Sequence, residues 1–300
     1  MIIEVAGLRR HFGKVVAVDG LTFAVEPGAA VGYIGANGAG KSTTIKMLTG
    51  ILRPTAGSVR TCGLDPMRAR RHLARRIGVV FGQRSQLWWD LPLRDSYRAL
   101  GAIHRLDHRP RLDELTDRLD LASFLDTPVR KLSLGQRIRG EVAAALLHSP
   151  ELLILDEPTI GLDVLSKERL RGFLVEQRAL GTTLLLATHD MGDIRRLTDR
   201  VLVVDHGRLA FDGTLDGLAG SVGANRTLVL DLVEPAPPLT GVPGTELVGV
   251  EAGGLRQRLS FAPGSTTVAA ILAAVAATAQ VHDLTIEEPD IEAVVRRLYA

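Results

Sequence analysis

Cysteine occurs once in these 300 residues, at Cys62, and one thiol excludes an internal disulfide and any zinc site built from several cysteines. That usage is compatible with a reducing compartment. An excess of one charge is also missing. The 36 Lys and Arg stand against 34 Asp and Glu, a net of +2, so no global field points to nucleic acid. Lysine is confined to Lys14, Lys41, Lys46, Lys131 and Lys167, a bias to which we assign no mechanistic weight. Long apolar runs are lacking too. The longest candidate, residues 268–277, is alanine-rich and far short of the roughly 20 residues that span a bilayer; it is expected to be a packed helix. The start, Met1-Ile2-Ile3-Glu4-Val5, lacks the basic opening and apolar core of a secretion signal. The chain is therefore expected not to cross a membrane.

Short runs alternating apolar and polar groups fill the first 30 residues, punctuated by Gly13, Gly20 and Pro27-Gly28, and predict an antiparallel sheet with tight turns. A buried strand over 30–34 and a helix over 42–48 follow, then an arginine-rich helix over 67–76 with a solvated face. The pattern is helical from 93 to 149. Beyond it, strands at 152–156, 182–187 and 200–205 alternate with helices at 166–179 and 191–198, which implies a parallel α/β sheet. Residues 220–225 read as a linker. Runs at 227–233, 246–251, 255–261 and 280–286 with helices at 267–277 and 289–299 predict a small α+β domain, Pro289 standing at a favoured first-turn position.

Between strand and helix lies Gly35-Ala36-Asn37-Gly38-Ala39-Gly40-Lys41-Ser42. Glycines at such spacing let backbone N–H groups converge on phosphate oxygens, and the helix adds its positive end. Lys41 then reaches the outer phosphates and Ser42 offers its hydroxyl to Mg²⁺. Gly35, Asn37, Gly38, Gly40 and Thr43 complete the candidate nucleotide cradle. Downstream, Leu152-Leu153-Ile154-Leu155-Asp156-Glu157 closes an apolar run with two acids, a costly position unless charge or water meets them. With Mg²⁺ present, Asp156 can hold the metal while Glu157 polarises the attacking water.

Between these two motifs stands Leu132-Ser133-Leu134-Gly135-Gln136, followed by a strong helix over 137–147. The order resembles the ATP-binding cassette (ABC) ATPases, whose signature is written Leu-Ser-Gly-Gly-Gln; Leu134 takes the place of the first glycine. The resemblance covers about residues 1–215. It implies a P-loop ABC cassette over 1–220, with a parallel core sheet, an N-terminal antiparallel β subdomain and a helical insert at about 84–150. A small α+β domain over 226–300 follows. It also implies that Glu157 is the general base, that His189 in Thr188-His189-Asp190 is the switch histidine at the γ-phosphate, and that Phe12 stacks on adenine. Asp163 matches the loop that communicates between paired cassettes. A metal-contacting glutamine is expected after the strand at 77–81, with Gln83 preferred to Gln86. Ser133, Gly135 and Gln136 would complete the nucleotide site of a second copy, making a head-to-tail pair, homodimer or heterodimer, around two ATP molecules. Because Ser133 and Gly135 carry the expected phosphate contacts, the loop should stay competent despite Leu134.

Within the family, residues 83–92, with the only two tryptophans at Trp88-Trp89, and residues 283–291 are similar to the ATPase subunits of bacterial viologen or daunorubicin-type exporters. This implies separate transmembrane permease subunits and a peripheral place on the cytoplasmic face of the membrane, with no nucleic-acid partner. The alternative is a stand-alone soluble ABC ATPase with a regulatory, ribosome- or DNA-associated role. Trp88-Trp89 would anchor a coupling helix of the permease; the plainer reading is one core tryptophan beside a partly exposed one.

Overall fold

The computed structural model describes residues 1–82, 85–221, 225–262 and 264–287. Two compact units emerge, Met1–Gly213 and Thr214–Ala300. In chain order the first contains β1 (Ile3–Phe12), β2 (Val15–Val25), β3 (Ala30–Gly35), α1 (Lys41–Leu48), β4 (Ala56–Thr61), α2 (Arg70–Leu73) and β5 (Ile77–Val80). Helices α3 (Leu93–His104), α4 (Arg109–Arg118) and α5 (Leu134–Leu146) follow, then β6 (Leu152–Asp156), α6 (Val164–Ala179), β7 (Thr183–Ala187), α7 (Met191–Leu197), β8 (Arg200–Asp205) and β9 (Arg208–Gly213).

The antiparallel sheet has the order β2-β1-β4 and the main sheet the order β5-β6-β7-β3-β8-β9. In β1 the inward residues are Ile3, Val5 and Leu8, and a register shift between Val5 and Leu8 keeps all three on the buried face despite the odd spacing. They share one core with Tyr33, Ile45, Leu152, Ile154 and Leu202, so the two sheets stabilise each other. β3, β6 and β7 are apolar almost throughout because parallel strands are covered on both faces. Only β9, paired antiparallel to β8, departs from the parallel pattern; it is a strand the helix–strand alternation did not reveal.

Two local expectations change. The arginine-rich helix shrinks to the four residues of α2. Upstream, the Asp65 carboxylate accepts the N–H groups of Met67 and Arg68 in a turn. At the far end Arg76 is drawn away to Glu151 and to the Cys62 carbonyl, and Arg70 donates to the Gly50 carbonyl. Arg68, Arg70, Arg71, His72 and Arg75 nonetheless stay exposed, the solvated face that was expected, and only Arg76 is half-buried. The signature also differs: α5 starts at Leu134, three residues before the expected helix. Ser133 Oγ accepts from Gln136 N at 3.2 Å while Gln136 Oε1 accepts from Ser133 N at 2.9 Å. Such a capping box stabilises a helix start by about 1 kcal/mol, which makes Leu134, Gly135 and Gln136 the first helical turn.

The second unit opens with α8 (Leu215–Ser221), followed by β10 (Arg226–Leu232), β11 (Glu246–Glu251), β12 (Arg256–Phe261), α9 (Val268–Val275) and β13 (Val281–Glu287). Its sheet runs β11-β12-β10-β13, all antiparallel, and Ile271 and Val275 of α9 pack on Leu228, Leu230 and Leu259. The buried Gln257 amide ties down the proline-rich segment: Nε2 donates to the carbonyls of Ala236 and Pro237, and Oε1 accepts from Leu239 N at 2.8 Å. The expected helix over 289–299 lies outside the described residues.

Candidate functional site

β3, β7 and β6 are neighbours in the main sheet and run parallel, so their C-terminal ends open on one edge. Crevices outside such ends are where α/β sheets bind ligands. From β3 leaves the loop 35–42, from β6 the pair Asp156-Glu157, and from β7 Thr188-His189. The fold thus gathers the loop with two segments more than a hundred residues downstream of it, themselves about thirty residues apart.

The loop is shaped by Gly40, the N-cap of α1 at φ +100, where a Cβ would stand 2.4 Å from the Ala17 carbonyl. No other residue meets both the left-handed backbone and that close approach. Lys41 Nζ curls over the loop, donating to the carbonyl of Gly35 at 2.5 Å and of Ala36 at 3.2 Å. Burial lowers its pKa, opposed by the charges of Glu157 and Asp156. Ser42 Oγ donates to Asp156 Oδ2 at 3.3 Å across the sheet edge. Burial raises the Asp156 pKa above the ordinary carboxylate value; the Ser42 bond opposes that shift and the neighbouring Glu157 charge adds to it. A half-compensated carboxylate next to a hydroxyl is a hard oxygen set that suits Mg²⁺.

Glu157 sits at φ +54, its N–H donating to the Ala187 carbonyl at 2.8 Å. Its Oε1 lies 2.8 Å from His189 Nδ1, and its Oε2 accepts from Thr188 Oγ1 at 3.2 Å. The His189 loop is braced by Asp190, which caps α7 and meets Lys167 at 2.7 Å and Arg171 at 3.2 Å. Asn37, Lys41, Ser42, Lys46, Asp156 and Glu157 line one open cavity of about 360 Å³, together with Phe81, Gly82 and Ile160.

The remaining expected residues divide. Phe12 is 46% exposed at the end of β1, with the Arg10 guanidinium 4.5 Å above its ring, so it is not a core phenylalanine. Gln83 lies outside the described residues. Its rival Gln86 is engaged elsewhere, its Nε2 donating to the Glu141 carbonyl at 3.1 Å and its N–H to Glu141 Oε2 at 3.2 Å. Ser133, Gly135 and Gln136 line no part of the Lys41 cavity, and Asp163 caps α6 by accepting from Ser166 N at 2.9 Å. Trp88 and Trp89 are both partly exposed, so neither is a core tryptophan. Sequence reasoning missed Thr188 as a partner of Glu157. Its only sequence signal is a hydroxyl residue at the end of an apolar strand, next to the histidine.

Residues 18–160 match the family model described as ABC transporter. The chain is 38% identical over 250 residues to the daunorubicin resistance ATP-binding protein DrrA3 of Streptomyces coeruleorubidus, covering 80% of this chain and 79% of that protein. The chain belongs to the ABC transporter ATP-binding proteins. It is also 40% identical over 220 residues to the Nod factor export ATP-binding protein I of Ralstonia nicotianae, covering 71% and 67%. Among solved structures, an ATP-binding subunit of an ABC transporter superposes with a TM-score of 0.70 at 30% identity, covering 75% of this chain and 94% of that one. The fold is that of an ABC cassette, and the protein is an ATP-binding ATPase. No described helix of this ABC ATPase is long and apolar enough to cross a membrane.

Proposed function

We propose that this ABC ATPase is the ATP-hydrolysing subunit of a bacterial exporter, held at the cytoplasmic face of the membrane by separate permease subunits. The supporting observation is the division of the site. Lys41, Ser42, Asp156 and Glu157 share one cavity, whereas the capped turn of Ser133, Gly135 and Gln136 stands apart from it. Such a half-site is completed when the turn of one copy faces the loop of another, head to tail around two ATP molecules. Val164 and Leu165, at the start of α6 next to Asp163, are 76% and 73% exposed, apolar surface that a second copy would cover.

In that pair the backbone N–H groups of Gly38, Gly40, Lys41, Ser42 and Thr43 cradle the phosphates, and Phe12 stacks on the base. Ser42 and Asp156 would hold Mg²⁺, which neutralises phosphate charge when bound. Glu157 accepts a proton from the attacking water, with Thr188 and His189 fixing its two oxygens. His189 is 70% exposed, placed to turn toward the γ-phosphate. Catalysis is then mostly positioning and charge stabilisation.

The exporter assignment draws on the names of the relatives and on the exposed Trp88, Trp89 and Leu91, an apolar surface suited to anchoring a permease helix. The test is co-purification of the tagged chain from detergent-solubilised membranes with a multi-span protein, repeated with Trp89→Ala. The substitution should weaken capture and uncouple transport while basal ATPase persists. Recovery of the chain without any membrane protein would refute the reading.

A further inference from the structure

Nucleotide chemistry gives the Leu134 side chain no task, since it offers neither donor nor acceptor. Its neighbours do. Gly161, four residues past Glu157, holds φ +71, and a Cβ added there would stand 2.3 Å from Leu134 Cδ2 and 3.5 Å from Leu134 Cγ. One residue further, Leu162 Cδ2 lies 3.3 Å from where a Cβ on Gly135 would be. The two segments interlock: the leucine of each lies against the glycine of the other. The segment from Glu157 to Asp163 is itself tightly held. Leu162 N donates to the Thr159 carbonyl at 3.2 Å, the buried Thr159 hydroxyl bonds the Asp193 carboxylate, and Asp163 caps α6. Glycine at position 134 would remove the Leu134 contact with Gly161, open that glycine to solvent and leave only Leu162 against Gly135 to link the segments.

We propose that Leu134 is a positioning residue that ties the signature turn to the loop running on from Glu157, so that each chain's hydrolytic site and the turn it lends to its partner move together. This rests on the head-to-tail pairing proposed above. It makes the departure from glycine a coupling device rather than a defect. Leu134 is 40% exposed, so the contact lies at the surface, on the turn that would face a partner.

The test is a double-mutant cycle on the full chain with Leu134→Gly, Gly161→Ala and the double variant, read as kcat, KM and Hill coefficient for ATP hydrolysis. Leu134→Gly should lower the Hill coefficient from near 2 toward 1 while KM changes by less than about twofold, and Leu134→Met should restore it. Gly161→Ala should cut kcat strongly beside leucine and less beside glycine at 134, a non-additivity of about tenfold. Effects that multiply independently, an unchanged Hill coefficient, or a large ATPase gain on Leu134→Gly would each overturn the proposal. Light scattering of Glu157→Gln with ATP separates the two readings. No dimer refutes the pairing and this proposal with it, whereas a dimer with an additive cycle refutes this proposal alone.

Discussion

Replacing Glu157 by glutamine separates binding from hydrolysis, and the structure sets the expected sizes. The substitution is isosteric, and glutamine occupies the same left-handed backbone, φ +54, at the same cost as glutamate. The amide retains partners at Thr188 Oγ1 and His189 Nδ1, so the folding penalty is that of weakening charge-assisted bonds, about 1 kcal/mol. Loss of a general base, by contrast, costs roughly 10²–10⁴-fold in rate, or about 3–5 kcal/mol of transition-state stabilisation. The kinetic effect therefore exceeds the structural one severalfold. ATP binding should persist, because the proposed phosphate loop 35–42 hangs on β3 and α1, not on β6. Removing the Glu157 charge also removes one of the influences that raise the Asp156 pKa, leaving that carboxylate readier to ionise beside a cation. The expected result is a protein that binds ATP, turns over at roughly a hundredth of the parent rate or less, and elutes as a dimer in Mg²⁺ and ATP. Single-turnover hydrolysis with light scattering reads both. A monomeric variant with full activity would refute the base assignment and the pairing together.

Two further outcomes concern stability. Burial, the neighbouring His104 and the bond to the Ile77 carbonyl, the last opposing the others, leave the His148 pKa lowered to about 4, against an ordinary value of 6.5. A lowered folded pKa means that the unfolded chain binds more protons between those values, so stability is full above pH 6.5 and drains as pH falls toward 4. The loss is about 2 kcal/mol by pH 5. Urea unfolding at pH 7 and 5 should show a smaller drop for His148→Gln than for the parent, and parallel drops would contradict this. In β5, a Cβ on Gly78 would lie 2.2 Å from the Ala145 carbonyl of α5. Gly78→Ala should lower stability by about 1–3 kcal/mol through forced separation of strand and helix, seen as an earlier urea midpoint at unchanged slope.

Much of the site is legible in the linear chain because its chemistry is local. Gly35 to Ser42 carry the glycine spacing of a phosphate-binding loop in one local run, and the acids of Asp156-Glu157 stand out because they end an apolar run. The strands β3, β6 and β7 are equally plain, since burial on both faces writes them as unbroken apolar segments. β9 was not legible: it pairs antiparallel at the sheet edge, and nothing in an alternating helix–strand pattern announces a reversal. The start of α5 was hidden for another reason, as a capping box competes with a loop reading until the Ser133 and Gln136 bonds are seen. Glutamine at 86 could be set apart from the site only once its amide was found bound to the Glu141 carbonyl.

The sequence by itself determined the motifs and their order, and their resemblance to the ABC ATPases pointed to the reaction, because each motif is a local run of residues that survives without knowledge of the fold. Only the tertiary structure decided that Thr188 and His189 hold the oxygens of Glu157, that Gln257 fastens the proline-rich segment, and that Leu134 rests on Gly161. Those are contacts between residues distant in sequence. Their partners are chosen by strand order and packing, which no local pattern encodes.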